Sequence, residues 1–317
     1  MGIAPYSCHV TDRIPATGRQ FEISRGAARA VITEVGAALR LFEVDGVPYT
    51  ETFDPDQEAP AAAGAVLVPW PNRVADGKWE LAGQPQQLAL TEPARNNAIH
   101  GLLRHTAWEV VEHDQDRIVL RSFIPAQPGW PVPLLASVAY AVDESGLSVT
   151  HEVTNTGAQA TPFGVGVHPY PRAGNAETDE CTLQLAASSV LPVDPERLLP
   201  TGPARPLAGE ETELRSGRKL AGLRLDTCFG GAEPAADDPQ GLVRHHLTGP
   251  SGHGVQVWAD PVFKWVQVYT AADFPGRGRA VAVEPMTCPP DALNSGTDLL
   301  VLQPGETWSG SWGLAPF

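Results

Sequence analysis

The feature that most constrains this chain is an apolar alternation with a period of two, broken by turns at intervals of about ten residues. The two clearest runs flank a turn at residues 143–146 and consist of Leu134, Ala136, Val138, Tyr140 and Val142, then Leu147, Val149, His151 and Val153. No stretch has the 3.6-residue period of an amphipathic helix. The pattern predicts an all-β, antiparallel sandwich or barrel, with His151 packed in its core.

Glycine and proline number 31 each among 317 residues and are spread along the whole chain. They form no linker, no repeat is visible, and 42% of the residues are hydrophobic, which is enough for a large core. Turn-forming residues at this density suit many short strands. We therefore expect one domain spanning residues 1–317.

Charge and cysteine content exclude several classes of protein. The net charge is −15, from 37 acidic and 22 basic residues, which argues against nucleic-acid and anionic-membrane partners. No apolar run approaches the roughly 20 residues of a membrane span, and the first residues do not resemble a signal peptide. Widely spaced Cys8, Cys181, Cys228 and Cys288 indicate reduced thiols in a cytoplasmic protein. Both a monomer and a homodimer remain open.

Polar or ionisable groups stand where apolar runs meet turns, which is where sheet proteins build their sites. The five segments are Asn72-Arg73, Asn96–Gly101, His168–Tyr170, Asp226–Phe229 and Glu284–Asn294. Two histidines and a carboxylate suit general acid–base chemistry on a polar small molecule. We find no nucleophile elbow, phosphate-binding glycine loop or metal-ligand spacing, and so predict no metal site.

Each candidate residue also has a structural alternative. His168 ends a short strand before Pro169, and a lone histidine there is more often structural than catalytic. Glu284 could be a solvated strand-end acid, and His100 and Asp226 could cap turns. Arg73 could form an ion pair on a hairpin.

Taken in order, these segments resemble the motifs of the aldose 1-epimerases, or mutarotases. The matching features are Asn72-Arg73 followed by Gly77, the Asn-x-x-His-Gly step ending at Gly101, His168-Pro-Tyr, and the stretch that begins at Glu284. They span about residues 64–294. The resemblance implies a galactose mutarotase-like antiparallel β-supersandwich. It also implies a cofactor-independent enzyme that interconverts the α and β anomers of a free sugar.

The same resemblance implies a role for each matching residue. Glu284 would act as base on the anomeric hydroxyl and His168 as acid on the ring oxygen, with His100 as a second donor. The residues expected to bind substrate are Asn72, Arg73, Tyr170 and Asp226. Trp70 or another aromatic residue would stack on the sugar.

Three alternatives remain open within this interpretation. A hexose 6-phosphate or a sulfonated sugar would need arginines near C6, for which Arg73 and Arg172 are the candidates. A non-catalytic carbohydrate-binding protein on the same scaffold would not need Glu284 together with His168. A lyase or glycosidase is a third option, although glycosidases generally use two carboxylates at the scissile bond.

Overall fold

The computed structural model describes residues 13–317 and is built almost entirely of β-strands. In chain order the strands are β1 (Gln20–Arg25), β2 (Ala28–Thr33), β3 (Leu39–Val44), β4 (Val47–Pro48), β5 (Val66–Leu67), β6 (Arg73–Ala75), β7 (Lys78–Leu81), β8 (Gln84–Gln87), β9 (Asn97–Ile99), β10 (Glu109–His113), β11 (Arg117–Ile124), β12 (Leu134–Asp143), β13 (Gly146–Asn155), β14 (Thr161–Phe163), β15 (Gly166–Val167), β16 (Thr182–Gln184), β17 (Ser189–Val190), β18 (Arg205–Pro206), β19 (Arg218–Lys219), β20 (Asp226–Gly230), β21 (Val243–Thr248), β22 (Gly254–Ala259), β23 (Trp265–Phe274), β24 (Gly278–Met286), β25 (Leu300–Leu302) and β26 (Thr307–Pro316). The helical pieces are α1 (Glu213–Ser216), α2 (Ala292–Ser295) and short 3-10 turns at Pro60–Ala62, Pro93–Arg95, Thr178–Glu180 and Gly209–Thr212.

Three larger antiparallel sheets contain most of the strands. The first has the order β1-β2-β3-β4, the second β10-β11-β12-β13-β26-β22-β21-β16-β19, and the third β18-β17-β20-β23-β24-β15-β5. Smaller pairs are β6-β9, β7-β8 and β14-β25. The predicted all-β, antiparallel class is confirmed.

The period-two alternation accounts for how the large sheets bury one face. Strand β12 alternates buried and half-buried residues along nearly its whole length, and β13 pairs with it across the turn at residues 143–146. His151 is buried and accepts a hydrogen bond from Nε1 of Trp312 at 3.0 Å, as expected of a core histidine. One contiguous apolar cluster includes side chains from all three larger sheets.

Two local expectations differ from the observed strands. A strand expected from Leu223 begins instead at Asp226, because residues 221–225 form a turn and an extended lead-in. The final two strands flank the Pro304-Gly305 turn as expected, but they do not pair with each other. Instead β25 pairs with β14, and β26 lies between β13 and β22, where it joins two parts of the larger sheet.

Free, buried thiols are found at Cys181, Cys228 and Cys288, as expected of reduced cysteines. Cys8 and the N-terminal segment judged for a signal peptide lie outside the described residues. Within residues 13–317, no helix has the length and apolar character needed to cross a bilayer.

Candidate active site

Three neighbouring strands place four polar side chains on one face of the third sheet. Residues directly opposite each other in adjacent strands share a face, as do residues two apart in one strand. Gln267 on β23 lies opposite Glu284 on β24, and Tyr269 lies opposite Asp226 at the start of β20. The register therefore brings Asp226, Gln267, Tyr269 and Glu284 to the same surface.

His168 enters this surface from the other side of β24. Gly166 of β15 lies opposite Met286, so two residues further on His168 comes beside Glu284. Nε2 of His168 lies 3.4 Å from Oε1 of Glu284, and both side chains are almost completely buried. The antiparallel register alone therefore brings together two residues far apart in sequence.

The opposite wall is the end of the β6-β9 pair, where Asn72 and His100 bind each other. The backbone N–H of His100 donates to the carbonyl of Asn72 at 3.0 Å, and the N–H of Asn72 donates to Nδ1 of His100 at 3.3 Å. Because Nδ1 accepts, the neutral imidazole carries its proton on Nε2, which makes His100 a hydrogen-bond donor. The ring centroids of His100 and His168 are 5.3 Å apart.

Arg73 connects the two walls through carboxylates. Its Nε and Nη2 donate to the two oxygens of Glu92 at 2.9 and 3.1 Å, a bidentate pair. Nη2 also lies 3.5 Å from Asp226, which accepts a 2.6 Å hydrogen bond from Nε2 of Gln267. Arg73 thus forms an ion pair, as in the structural alternative considered for it, yet it still lines the cleft.

These walls enclose a cleft of about 330 Å³, at the small end of the roughly 300–1,000 Å³ typical of ligand pockets. The predicted residues that line it are Asn72, Arg73, His100, His168, Asp226 and Glu284. Lining residues that sequence reasoning missed include Glu92, Arg95, Arg104, Gln267 and Tyr269. Gln267 and Tyr269 had a local signal, because they are polar, lie two apart and alternate with the apolar residues Val266 and Val268.

Three residues expected near the substrate do not line the cleft. Tyr170 packs its ring on the far side of His168, with centroids 5.4 Å apart and planes 21° from parallel, and its hydroxyl is buried. Trp70 is in the core against Trp130. Arg172 is bound by Glu51 and by the carbonyl of Gly174.

Burial dominates the electrostatics of the site. It raises the pKa of Glu284 well above its usual value, with nearby Asp226 adding to the effect. It lowers the pKa of His168, and it lowers the pKa of His100 with help from His168 and Arg104. Burial alone would raise the pKa of Glu92, but hydrogen bonds from Arg73 and Asn97 outweigh it and lower that pKa below its usual value. Both shifts favour the uncharged forms of the pair, a protonated carboxyl on Glu284 and a neutral imidazole on His168.

Four buried polar atoms of cleft-lining residues lack a hydrogen-bond partner among the described residues: Oε2 of Glu284, Nδ1 of His168, Oε1 of Gln267 and Nε of Arg95. Buried polar atoms are nearly always paired in proteins, and exceptions call for a cause such as a bound molecule. Within residues 13–317, no group of three or more His, Cys, Asp or Glu side chains could hold a metal ion. The arrangement fits a small, hydroxyl-rich ligand.

Fold and site together define a β-sandwich protein with a polar acid–base cleft on one face of its third sheet. The family model described as aldose 1-epimerase matches residues 19–314, and the chain belongs to that family. A curated relative, the uncharacterized protein YihR of Escherichia coli K12, is 33% identical over 307 residues, which cover 96% of each chain.

Solved structures share the fold at lower identity. A galactose mutarotase-like protein from Clostridium acetobutylicum superposes with a TM-score of 0.82 at 21% identity, over 93% of this chain and 94% of the other. Galactose 1-epimerase from Lactobacillus acidophilus superposes with a TM-score of 0.76 at 19% identity, over 93% of each. The expected galactose mutarotase-like sandwich is therefore confirmed.

Proposed function

We propose that this protein is an aldose 1-epimerase, which interconverts the α and β anomers of a free aldose by opening and closing the ring. The observation that carries the proposal is the buried carboxyl–imidazole pair of Glu284 and His168, 3.4 Å apart in a cleft suited to one sugar ring. Family membership supports the reaction class.

Ring opening needs one proton removed and one added. Glu284 takes the proton of the anomeric hydroxyl while His168 gives a proton to the ring oxygen, so the C1–O5 bond breaks and C1 becomes an aldehyde. Rotation about C1–C2 exposes the other carbonyl face, and the reversed transfers close the ring. The two residues hold one transferable proton throughout, on His168 before opening and on Glu284 after it, so no proton from solvent is required.

A bound sugar would favour the starting charged form of the pair. Burial disfavours a charged carboxylate on Glu284 and a charged imidazolium on His168. Sugar hydroxyl groups that hydrogen-bond to these two charged groups would stabilise them. In this proposal His100 donates to the ring oxygen or a neighbouring hydroxyl through Nε2. Asn72, Arg73 and Asp226 bind further hydroxyls.

Two tyrosines take roles that the sequence did not assign to them. Tyr170 supports the ring of His168 by stacking behind it, and acts through that histidine rather than on the sugar. Tyr269 is the tyrosine on the cleft surface and is our candidate for contact with the apolar face of the sugar.

Polarimetry of freshly dissolved α-glucose and α-galactose tests the proposal directly. We expect wild-type protein to accelerate the change in rotation for at least one sugar, and Glu284→Gln to lose about 10²–10⁴ of that rate, the usual contribution of a positioned proton-transfer group. Glu80→Gln on the exposed face of β7 is the matched control.

The possible outcomes distinguish an enzyme from a carbohydrate-binding protein and test the role of Glu284. Sugar binding by calorimetry without any acceleration would establish a carbohydrate-binding protein and refute the enzyme. Full acceleration by Glu284→Gln would keep the reaction but reject Glu284 as the base.

A further inference from the structure

Arg104 is a half-buried arginine that lines the cleft. It makes no ion pair or side-chain hydrogen bond with any residue from 13 to 317, and burial lowers the pKa of its guanidinium. By contrast Arg73 and Arg95 both bind Glu92. Glu58 and Glu92 act on Arg104 only from beyond ion-pair distance and offset part of the effect of burial. Since a guanidinium taken from water normally gains a contacting carboxylate or another acceptor in return, Arg104 can accept a further anion.

The charge balance of the cleft points the same way. Outside the Glu284–His168 pair, the charged lining groups are Arg73, Arg95, Arg104, Glu92 and Asp226. Three cations thus face two anions in a molecule whose overall net charge is −15. A cleft of opposite sign to the rest of the surface selects for an anionic ligand.

The position of Arg104 identifies which end of a sugar it would meet. Arg104 lies four residues after His100 in the same turn segment, and both residues line the cleft together with His168, so we place Arg104 on the side that holds the histidines. In the proposed reaction the histidines face the ring oxygen. In an aldohexopyranose that oxygen is bonded to C5, which carries C6, so a C6 substituent lies on the same side.

The backbone around Arg104 is firmly held, and there is space beside it. The N–H of Leu102 donates to the carbonyl of Val68, and a side chain added at Gly36 would meet the carbonyl of Arg104 at 2.7 Å. A second cavity of about 310 Å³ shares Ala62 and Arg104 with the cleft. Glu58 and His105 also line this second cavity, 3.6 Å apart, so the room for a group larger than a hydroxyl on C6 is at its Arg104 end.

We propose that the substrate is an aldohexose with an anionic substituent on C6, and that Arg104 is the residue that binds this anion. The inference rests on the proposed 1-epimerase function and narrows its substrate class. Phosphate ester, sulfonate and carboxylate share the required oxyanion, and Arg104 replaces Arg172 as the arginine available to it.

Anomer-exchange NMR measures α/β interconversion at equilibrium and needs no pure anomer. We would compare glucose with glucose 6-phosphate, 6-deoxy-6-sulfoglucose and glucuronate. At least one anionic sugar should exceed glucose in kcat/KM by about 10-fold or more, and Arg104→Gln should cut that preference by about 10- to 100-fold, the range for hydrogen bonds to charged groups. Arg104→Lys should retain part of it.

Arg215→Gln removes the same charge from an exposed site on α1 outside the cleft, and should leave the preference unchanged. The inference would be overturned if glucose were interconverted at least as efficiently as every anionic sugar. It would also be overturned if the preference for an anionic sugar survived Arg104→Gln. Either result would leave the epimerase proposal standing. No interconversion of any of the four sugars would overturn both.

Discussion

At the scale of single residues, the site depends on backbone conformations that side chains rarely adopt. Asn72 and His100 both have positive φ, 55° and 64°, which costs a non-glycine residue about 1–2 kcal/mol. Two hydrogen bonds between Asn72 and His100 hold this geometry. Strained backbone that its surroundings hold in place is a common property of functional sites.

Gly101 is the residue that makes the position of His100 possible. It has φ of 70°, and an added Cβ would lie 2.2 Å from the carbonyl oxygen of Val68. Gly101→Ala should therefore lower the free energy of unfolding by more than about 2 kcal/mol, and lower epimerase activity as His100 shifts. Urea unfolding, read by tryptophan fluorescence, measures the first effect.

Gly26 offers a matched control for this prediction. It has φ of 58°, but nothing lies within 4 Å of the added Cβ. Gly26→Ala should lower the free energy of unfolding by only about 1 kcal/mol, which is the cost of the left-handed conformation for a residue with a Cβ. Equal losses for the two variants would show that the contact with Val68 does not matter.

At the scale of elements, what could be predicted was local and what could not was the pairing of strands. The period-two alternation of β12 and β13 is written in consecutive residues, so their burial follows from sequence alone. The meeting of His168 with Glu284 depends on β15 pairing with β24, which no local pattern specifies. Only the family resemblance connected those two motifs.

Site residues contributed by loops had the weakest sequence signals. Arg104 follows the His-Gly step in a turn with no periodicity, and Glu92 precedes a 3-10 turn. Nothing in the sequence indicates that Arg73 would bind Glu92, or that Tyr170 would pack behind His168 instead of facing the cleft. Such contacts are set by the tertiary arrangement.

The loop at residues 191–204 supports one wall of the cleft through Arg197. This side chain donates to Asp76 at 2.7 Å and to the carbonyls of Arg95 and Asn96 at 3.0 Å each. Arg197→Ala should raise KM several-fold with little change in kcat, because the wall loosens while the Glu284–His168 pair remains intact.

Steady-state kinetics and limited proteolysis of the loop would measure the effect. Arg205→Ala on β18 is the control, since Arg205 pairs with Glu211 away from the cleft. A fall in kcat without any change in KM would contradict a supporting role for Arg197.

At the scale of the whole molecule, buried histidines connect folding stability to pH. Burial lowers the pKa of His100, His151, His168 and His245 below that of an exposed histidine. Below about pH 6.5 the unfolded chain takes up protons that the folded chain refuses, so the free energy of unfolding falls as pH falls. Glu284 acts in the opposite direction, because its raised pKa keeps a proton that the unfolded chain releases.

His151 isolates this effect away from the cleft. Its pKa is lowered to about 3, so its contribution is complete above about pH 6.5 and is lost progressively toward pH 3. Between pH 6.5 and 4.5 this one residue should lower the free energy of unfolding by about 2–3 kcal/mol. In urea unfolding over that range, the free energy of unfolding of His151→Gln should fall less than that of wild type by this amount. The difference does not depend on the variant's stability at neutral pH. Parallel pH curves for wild type and His151→Gln would mean that His151 is protonated equally in the folded and unfolded chains.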